Sequence, residues 1–293
     1  MEIHPFRLTK EVTVWGRDLL NRKAWLRFTP TSQPGLLWQY DPNHKPKLIT
    51  ADLLSARLRR TVLSFRKSTL DWYEHIGILR WLGLDSVVIQ SSAWPPFFGR
   101  SNELWEALRC LCKVETTTEI PWCTVSQTIR YDYPPPRTGF VEIKPRTDPM
   151  LYVTIICDYP GLGYEEFRCQ ITHSLLEEAL EIYTPGWPPW LYYPSKTLSY
   201  LGWKHHTHVS WPRAYSQKVA LHRFIFHRLI DLLGTLSLIH SYALFAGEVT
   251  SCSAGHLADV TVVKLSGQHL IPLSPSPAPN FDCRLSIPRN TLV

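Results

Sequence analysis

Three short segments of this chain carry residue types that can do hydrolytic or metal chemistry. The first is His227-Arg-Leu-Ile-Asp231. On a helix, residues i and i+4 share a face, with Cβ atoms about 5–6 Å apart. An imidazole and a carboxylate at that spacing can hold one side of a Zn²⁺ site, or they can form an ordinary ion pair on a helix surface. The second segment is Glu74-His75, at the head of an apolar run. Successive helical residues point about 100° apart, so the imidazole can reach a metal while the carboxylate faces a water. The same pair also reads as a first-turn acid beside a histidine at a core edge. The third is Gly255-His256, after the small residues 251–254. A histidine there can donate a proton or support a developing oxyanion, or it can be a plain loop residue.

These segments need elements to position them. Residues 71–83 have helical spacing, with Ile76, Leu79 and Leu82 on one face, and 86–91 read as a buried strand. Further helices are expected over 102–112, 174–182 and 217–240. Strands are expected over 6–15, 23–29, 139–144, 150–157 and 259–265, with short strand-like runs in 36–70. The YPPP run at 133–136 has linker character, 184–212 is rich in Pro and Trp, and the tail after Leu273 is irregular. The two strand-rich halves, each with two helices, predict a duplicated α+β layer fold whose likeness is topological. The expected division is 1–126, 127–273 and a tail over 274–293.

Composition narrows the class. Hydrophobic residues make up 44% of the 293 and charged residues 19%, which is enough apolar material for real cores. The net charge of +6 suits an anionic partner without choosing one, and it equally describes ordinary solvated surface. Seven cysteines, an odd number with no framework spacing, predict reduced thiols. Met1 to Lys10 has no apolar signal-peptide core, and no stretch reaches membrane-span length, so the expected setting is the cytoplasm with at most peripheral membrane contact. The twelve Trp form no stripe with Lys and Arg, so no nucleic-acid partner is expected.

YEHIGILRWLGLDSVVI (73–89) and HRLIDLLGTLSLI (227–239) are similar to the signatures E-H-L-L-A-A-L-x-G-L-G-I-D-N-V-x-I and H-K-x-x-D-x-I-G-D-L-x-L-L, and through them the chain resembles the zinc-dependent UDP-3-O-acyl-N-acetylglucosamine deacetylase family of lipid A biosynthesis. YVTIICDYPGLGYEEFRCQIT (152–172) resembles its second-domain opening, SAGH (253–256) its S-G-H, and residues 6–30 its first hairpin. The order is unbroken, and the likeness reaches to about residue 265.

The resemblance implies two β-α-α-β sandwich domains with the active site between them. It implies that His75, His227 and Asp231 ligate Zn²⁺, that Glu74 is the general base, and that His256 is the acid or electrophilic group. It further implies that Thr184 supports the oxyanion and that Arg228 contacts the nucleotide part of a UDP-acyl-sugar substrate. The sequence also departs from the family. Thr235 stands where the family has an aspartate that supports the catalytic histidine, which predicts a less firmly oriented His256. The family's D-G-S reads Phe98-Gly99-Arg100, its A-R-T-F phenylalanine is Pro185, and its K-G-G-S-L-D-N stretch is GWKHHTH (202–208). His205, His206 and His208 in that stretch form a second metal site or a plain solvent loop. A zinc-binding pseudoenzyme of the same fold stays open beside the working deacetylase.

Overall fold

The computed structural model describes residues 5–17, 22–57, 60–65, 68–72, 74–92, 101–110, 112–114, 120–159, 163–180, 186–187, 209–210 and 217–273. Helices and several sheets mix along the chain, so the fold class is α+β.

Two five-stranded sheets organise the molecule, and they share one plan. The first contains β2 (Val12–Arg17), β3 (Lys23–Pro30), β4 (Leu36–Trp38), β5 (Lys47–Leu48) and β9 (Val87–Ser91), in the order β2-β3-β9-β4-β5. The second contains β12 (Ile129–Asp132), β13 (Phe140–Lys144), β14 (Leu151–Tyr159), β15 (Gly163–Gln170) and β19 (Gly247–Cys252), in the order β12-β13-β19-β14-β15. In each sheet the late central strand runs parallel to one neighbour (β4 with β9, β14 with β19) and antiparallel to the other. Alternation sets the faces. Ala24, Leu26 and Phe28 of β3 point into the core and the residues between them point outward, as a period of two requires.

A helix precedes each central strand and another follows it. In the first half these are α1 (Glu74–Trp81) and α2 (Ser101–Arg109). In the second they are α4 (Gln217–Leu236) and α5 (His256–Ser266), with α3 (His173–Leu180) earlier in the chain. A separate three-stranded antiparallel sheet, β6 (Leu54–Arg57), β7 (Arg60–Phe65) and β8 (Ser68–Asp71), leads into α1 and packs on α5.

Two expectations are corrected. Residues 259–265 are not a strand but the body of α5, and the strand of that region is β19. The run Val260-Thr-Val-Val263 has β-branched residues throughout, and these favour strands. Helical burial outweighs that preference, because Ala258, Asp259, Val260, Val262, Val263 and Ser266 are buried while Leu257 and Leu265 stay exposed. Strand β11 (Trp122–Val125) pairs with β18 (Leu244–Phe245) and β20 (Leu270–Pro272) in a further three-stranded sheet. The expected strand over 6–15 is two, β1 (Phe6–Leu8) and β2, and β1 pairs with β10 (Cys112–Val114).

The halves meet where α1 crosses α4 at two glycines. A Cβ on Gly77 would lie 2.6 Å from the Gly234 Cα, and a Cβ on Gly234 would lie 2.5 Å from the Glu74 Cβ. Indole N–H groups fasten the crossing: Trp72 donates to the Gly234 carbonyl at 3.1 Å and Trp81 to the Leu233 carbonyl at 2.9 Å. Both rings are buried, so each indole N–H finds a partner where water cannot supply one. Gly→Ala inside a helix ordinarily stabilises by about 1 kcal/mol. Here the sign reverses. Gly77→Ala and Gly234→Ala are each expected to destabilise by about 1–3 kcal/mol, the scale of core overpacking, as read from urea denaturation midpoints.

Candidate metal centre

The crossing decides what stands beside what. Glu74 is the first residue of α1, and its backbone and Cβ lie against Gly234. Asp231 stands three residues before Gly234 on α4, and His227 stands one turn before Asp231. The third contributor is α5. Gly255 is its N-cap, and the Gly255 N–H donates to the Tyr133 hydroxyl at 3.3 Å, which sets the start of the helix. His256 is the first residue of α5 and faces α1 and α4, since α5 packs on both α4 and the β6–β7 hairpin.

Ligand-type atoms of Glu74, Asp231 and His256 all lie within 4.8 Å of one another. The Asp231 Oδ2 is the hub, 3.7 Å from His227 Nε2 and 3.6 Å from His256 Nε2. Glu74 Oε1 is 3.6 Å from His256 Nδ1. A tetrahedral site with metal–ligand bonds of about 2.0–2.2 Å has ligand–ligand edges of about 3.3–3.6 Å, and the separations of Asp231 Oδ2 from the Nε2 atoms of His227 and His256 are close to that edge, while Glu74 stands on the far nitrogen of His256. The donor set fits as well, because imidazole nitrogen and carboxylate oxygen are borderline ligands suited to Zn²⁺.

Electrostatics favour an ionised hub. Burial pushes the Asp231 carboxyl up, but His227, His256, Arg228 and His75 around it outweigh that and hold it below the usual carboxylate range. His227 moves the other way. Burial lowers its pKa, with the nearby His256 and Arg228 adding to that and Asp231 opposing it. The result is an anionic oxygen beside an imidazole held in its ligand-competent neutral form, which is the protonation state that a metal site needs.

The residues expected from sequence fall into separate groups. Glu74, His227, Asp231 and His256 come together. His75 is close enough to bias the charge of Asp231, and its Nε2 is buried, but the tightest trio contains Glu74 and His256 in place of His75 and His227. Thr184 and the histidines at 205, 206 and 208 lie outside the described residues, as does the tail.

Arg228 does not stand open to a substrate. Its side chain is 5% exposed, and the guanidinium grips the Asp259 carboxylate with both terminal nitrogens, one bond measuring 2.6 Å, and donates to Ser251 Oγ at 3.0 Å. The i+1 position after His227 turns Arg228 away from the site and toward α5 and β19, which a motif read along the sequence cannot show. Thr235 does not hold His256 either, because its hydroxyl donates back to the Asp231 carbonyl at 2.9 Å. The residue on His256 is one that sequence reading missed, Thr61 of β7, whose Oγ1 is 3.1 Å from Nδ1. No motif marks Thr61, and the only signal is its place in a strand that the fold lays against α5.

No family model matches the chain, and no curated protein matches it. Among the described residues, no helix is long and apolar enough to cross a membrane.

The Arg228 geometry gives a direct expectation. Arg228→Met leaves the Asp259 carboxylate buried and unpaired, so unfolding free energy should fall by about 3–5 kcal/mol. A substrate-facing cation on the surface would change stability by less than about 0.5 kcal/mol. Thermal and urea denaturation of the variant separate these outcomes.

Proposed function

We propose that this chain is a zinc-dependent amide hydrolase that removes the N-acetyl group from a UDP-3-O-acyl-N-acetylglucosamine, the deacetylation of lipid A biosynthesis, in the cytoplasm. In this reading the two halves are β-α-α-β sandwich domains with the site between them. The observation that carries the proposal is the convergence, from three separated segments, of Glu74, Asp231 and His256 with His227 on the shared hub. Those are the positions that the ordered resemblance to the deacetylase family selects.

An amide carbonyl is a poor electrophile and water a poor nucleophile. Zn²⁺ at the Asp231 hub, held by His227 and Asp231 with His75 as the expected third ligand, would lower the pKa of water and polarise the carbonyl. The chain's own groups do the rest. The Glu74 carboxylate takes a proton from the attacking water as the C–O bond forms. The C–N bond then breaks, acetate leaves, and the amine nitrogen takes up a proton from Glu74 or His256. His256, only 15% exposed, presents a charge-stabilising group in a site with little competing water, where a donor to the oxyanion contributes a few kcal/mol.

The experiment measures zinc content of the purified protein together with release of acetate from the UDP-acyl-sugar. Stoichiometric zinc that is lost in His227→Ala, with turnover by the intact chain, supports the reading. Zinc without turnover makes the chain a binding member of the same fold, and absence of stoichiometric metal removes the proposal. Glu74→Gln should keep its zinc while hydrolysis falls by about 10²–10⁴-fold, because the general base is not a ligand. Equal loss of metal and activity would make Glu74 a ligand instead.

A further inference from the structure

We propose that His240 is an acid-sensitive latch: its neutral ring closes the turn 240–243 against the end of α1, and protonation of the ring opens that turn. After α4 the chain must reverse into β18, and a side chain shapes the reversal. His240 Nδ1 accepts the Tyr242 N–H at 3.1 Å and the Ala243 N–H at 2.9 Å. Both partners are backbone amides, which only donate, so Nδ1 is bare and the neutral ring carries its hydrogen on Nε2. The same turn receives Arg80 from α1, which donates through one terminal nitrogen to the His240 carbonyl at 3.4 Å and the Ser241 carbonyl at 2.8 Å. Arg80 is in turn held by Asp85 at 3.2 Å, and Asp85 accepts the Gly35 N–H at 3.0 Å. The histidine turn thus joins the end of α1 to the segment that enters β18.

A proton on Nδ1 would set one N–H against two others. Both amides would lose their acceptor, and Ala243 is buried, so water cannot readily replace it. The surrounding charges do not rescue the imidazolium. Arg80 repels it, and the Asp85 carboxylate is already engaged by Arg80, Gly35 and Ser86. Lys264 of α5 and Asp52 line a cavity of about 500 Å³ beside the ring, and their charges are opposite. That cavity gives solvent protons a way to the ring. Burial first, and then Arg80, push His240 below the usual histidine value of 6.5. The opened turn therefore takes up a proton at a higher pH than the closed one. The latch is at full strength above about pH 6.5 and weakens as the pH falls below it, until the closed ring is itself protonated. Over that window each pH unit lowers the ratio of closed to open turn by about tenfold. The helix that loses its tie is α1, which carries Glu74 at its other end.

The test is hydrogen exchange of the Tyr242 and Ala243 amides in the intact chain at about pH 7.5 and about pH 5.5, corrected for intrinsic exchange. Protection in the wild type should fall by about tenfold at the lower pH. His240→Asn puts an amide oxygen where Nδ1 stands, so it accepts the same two bonds and does not titrate. Its protection should be equal at both pH values. His240→Ala should lose protection at both. His227 titrates in the same range but is present in every variant, so the comparison isolates His240. Long-range ¹H–¹⁵N NMR of the wild-type rings gives a second measurement, in which His240 should carry hydrogen on Nε2 at about pH 8 and titrate below about 6.5. Hydrogen on Nδ1, or titration at or above that value, overturns the proposal even if both variants prove unfolded. So does a wild type fully protected at about pH 5.5, or a folded His240→Asn that loses protection in acid as the wild type does. None of these readouts depends on hydrolysis of an acyl-sugar, so the latch and the hydrolase reading fail separately.

Discussion

The contact of α1 with α4 at Gly77 and Gly234 is the constraint on which the site depends. Ordinary helix packing holds axes about 8–10 Å apart, and side chains fill the gap. Here the two glycines remove that gap, and the Glu74 backbone rests on the next helix. Glu74 therefore reaches the Asp231–His256 cluster although it stands at the start of a helix from the other half. The flanking indoles of Trp72 and Trp81 bond to the Gly234 and Leu233 carbonyls, so the crossing cannot slide along α4 without breaking buried hydrogen bonds. Position along the axis and distance between axes are thus fixed by different groups, and the carboxylate of Glu74 inherits both.

Two buried ion pairs shape the surroundings of the cluster. Arg80 pairs with Asp85 at 3.2 Å and donates to the Ser241 carbonyl at 2.8 Å, which ties the end of α1 to the segment after α4. Arg228 is bound to Asp259, which ties α4 to α5 just below His256. Because Arg228 spends its guanidinium on Asp259, it acts on Asp231 only through space. It helps to keep the Asp231 carboxyl ionised without occupying the oxygen that faces His227 and His256. A cation bonded directly to Asp231 would have blocked the hub. The arrangement supplies positive potential and leaves the ligand atom available.

The parts of this design that were legible in the sequence are those written in local periodicity. The helix holding Glu74, the i, i+4 spacing of His227 and Asp231, and most strands of the two large sheets follow from repeats of 3.6 and 2. What was not legible depends on which faces the fold brings together. Thr61 and His256 are separated by 195 positions, and nothing in a β-strand threonine signals a histidine partner. Arg228 looks like a site cation beside His227 until the buried Asp259 is in view. That partner was hidden because residues 259–265 carry a strand-like run that packing turns into a helix. Once α5 is a helix, Asp259 lies three residues from His256, and both the ion pair and the hydroxyl contact have a place.

The two five-stranded sheets follow one strand order, and that order bears on how the carboxylates meet. Each sheet receives a helix just before its central strand, α1 before β9 and α4 before β19. Two units of one plan that pack through equivalent elements bring equivalent helices together, here α1 against α4. In each of these helices a carboxylate stands three residues before the crossing glycine, Glu74 before Gly77 and Asp231 before Gly234. The same offset on two crossing helices carries two carboxylates to one region, where like charges repel unless cations or imidazoles lie between them. His227 and His256 occupy that position, and neither belongs to the half that supplies Glu74. The acids stand on α1 and α4 and the imidazoles on α4 and α5, so the cluster forms only where all three helices pack together.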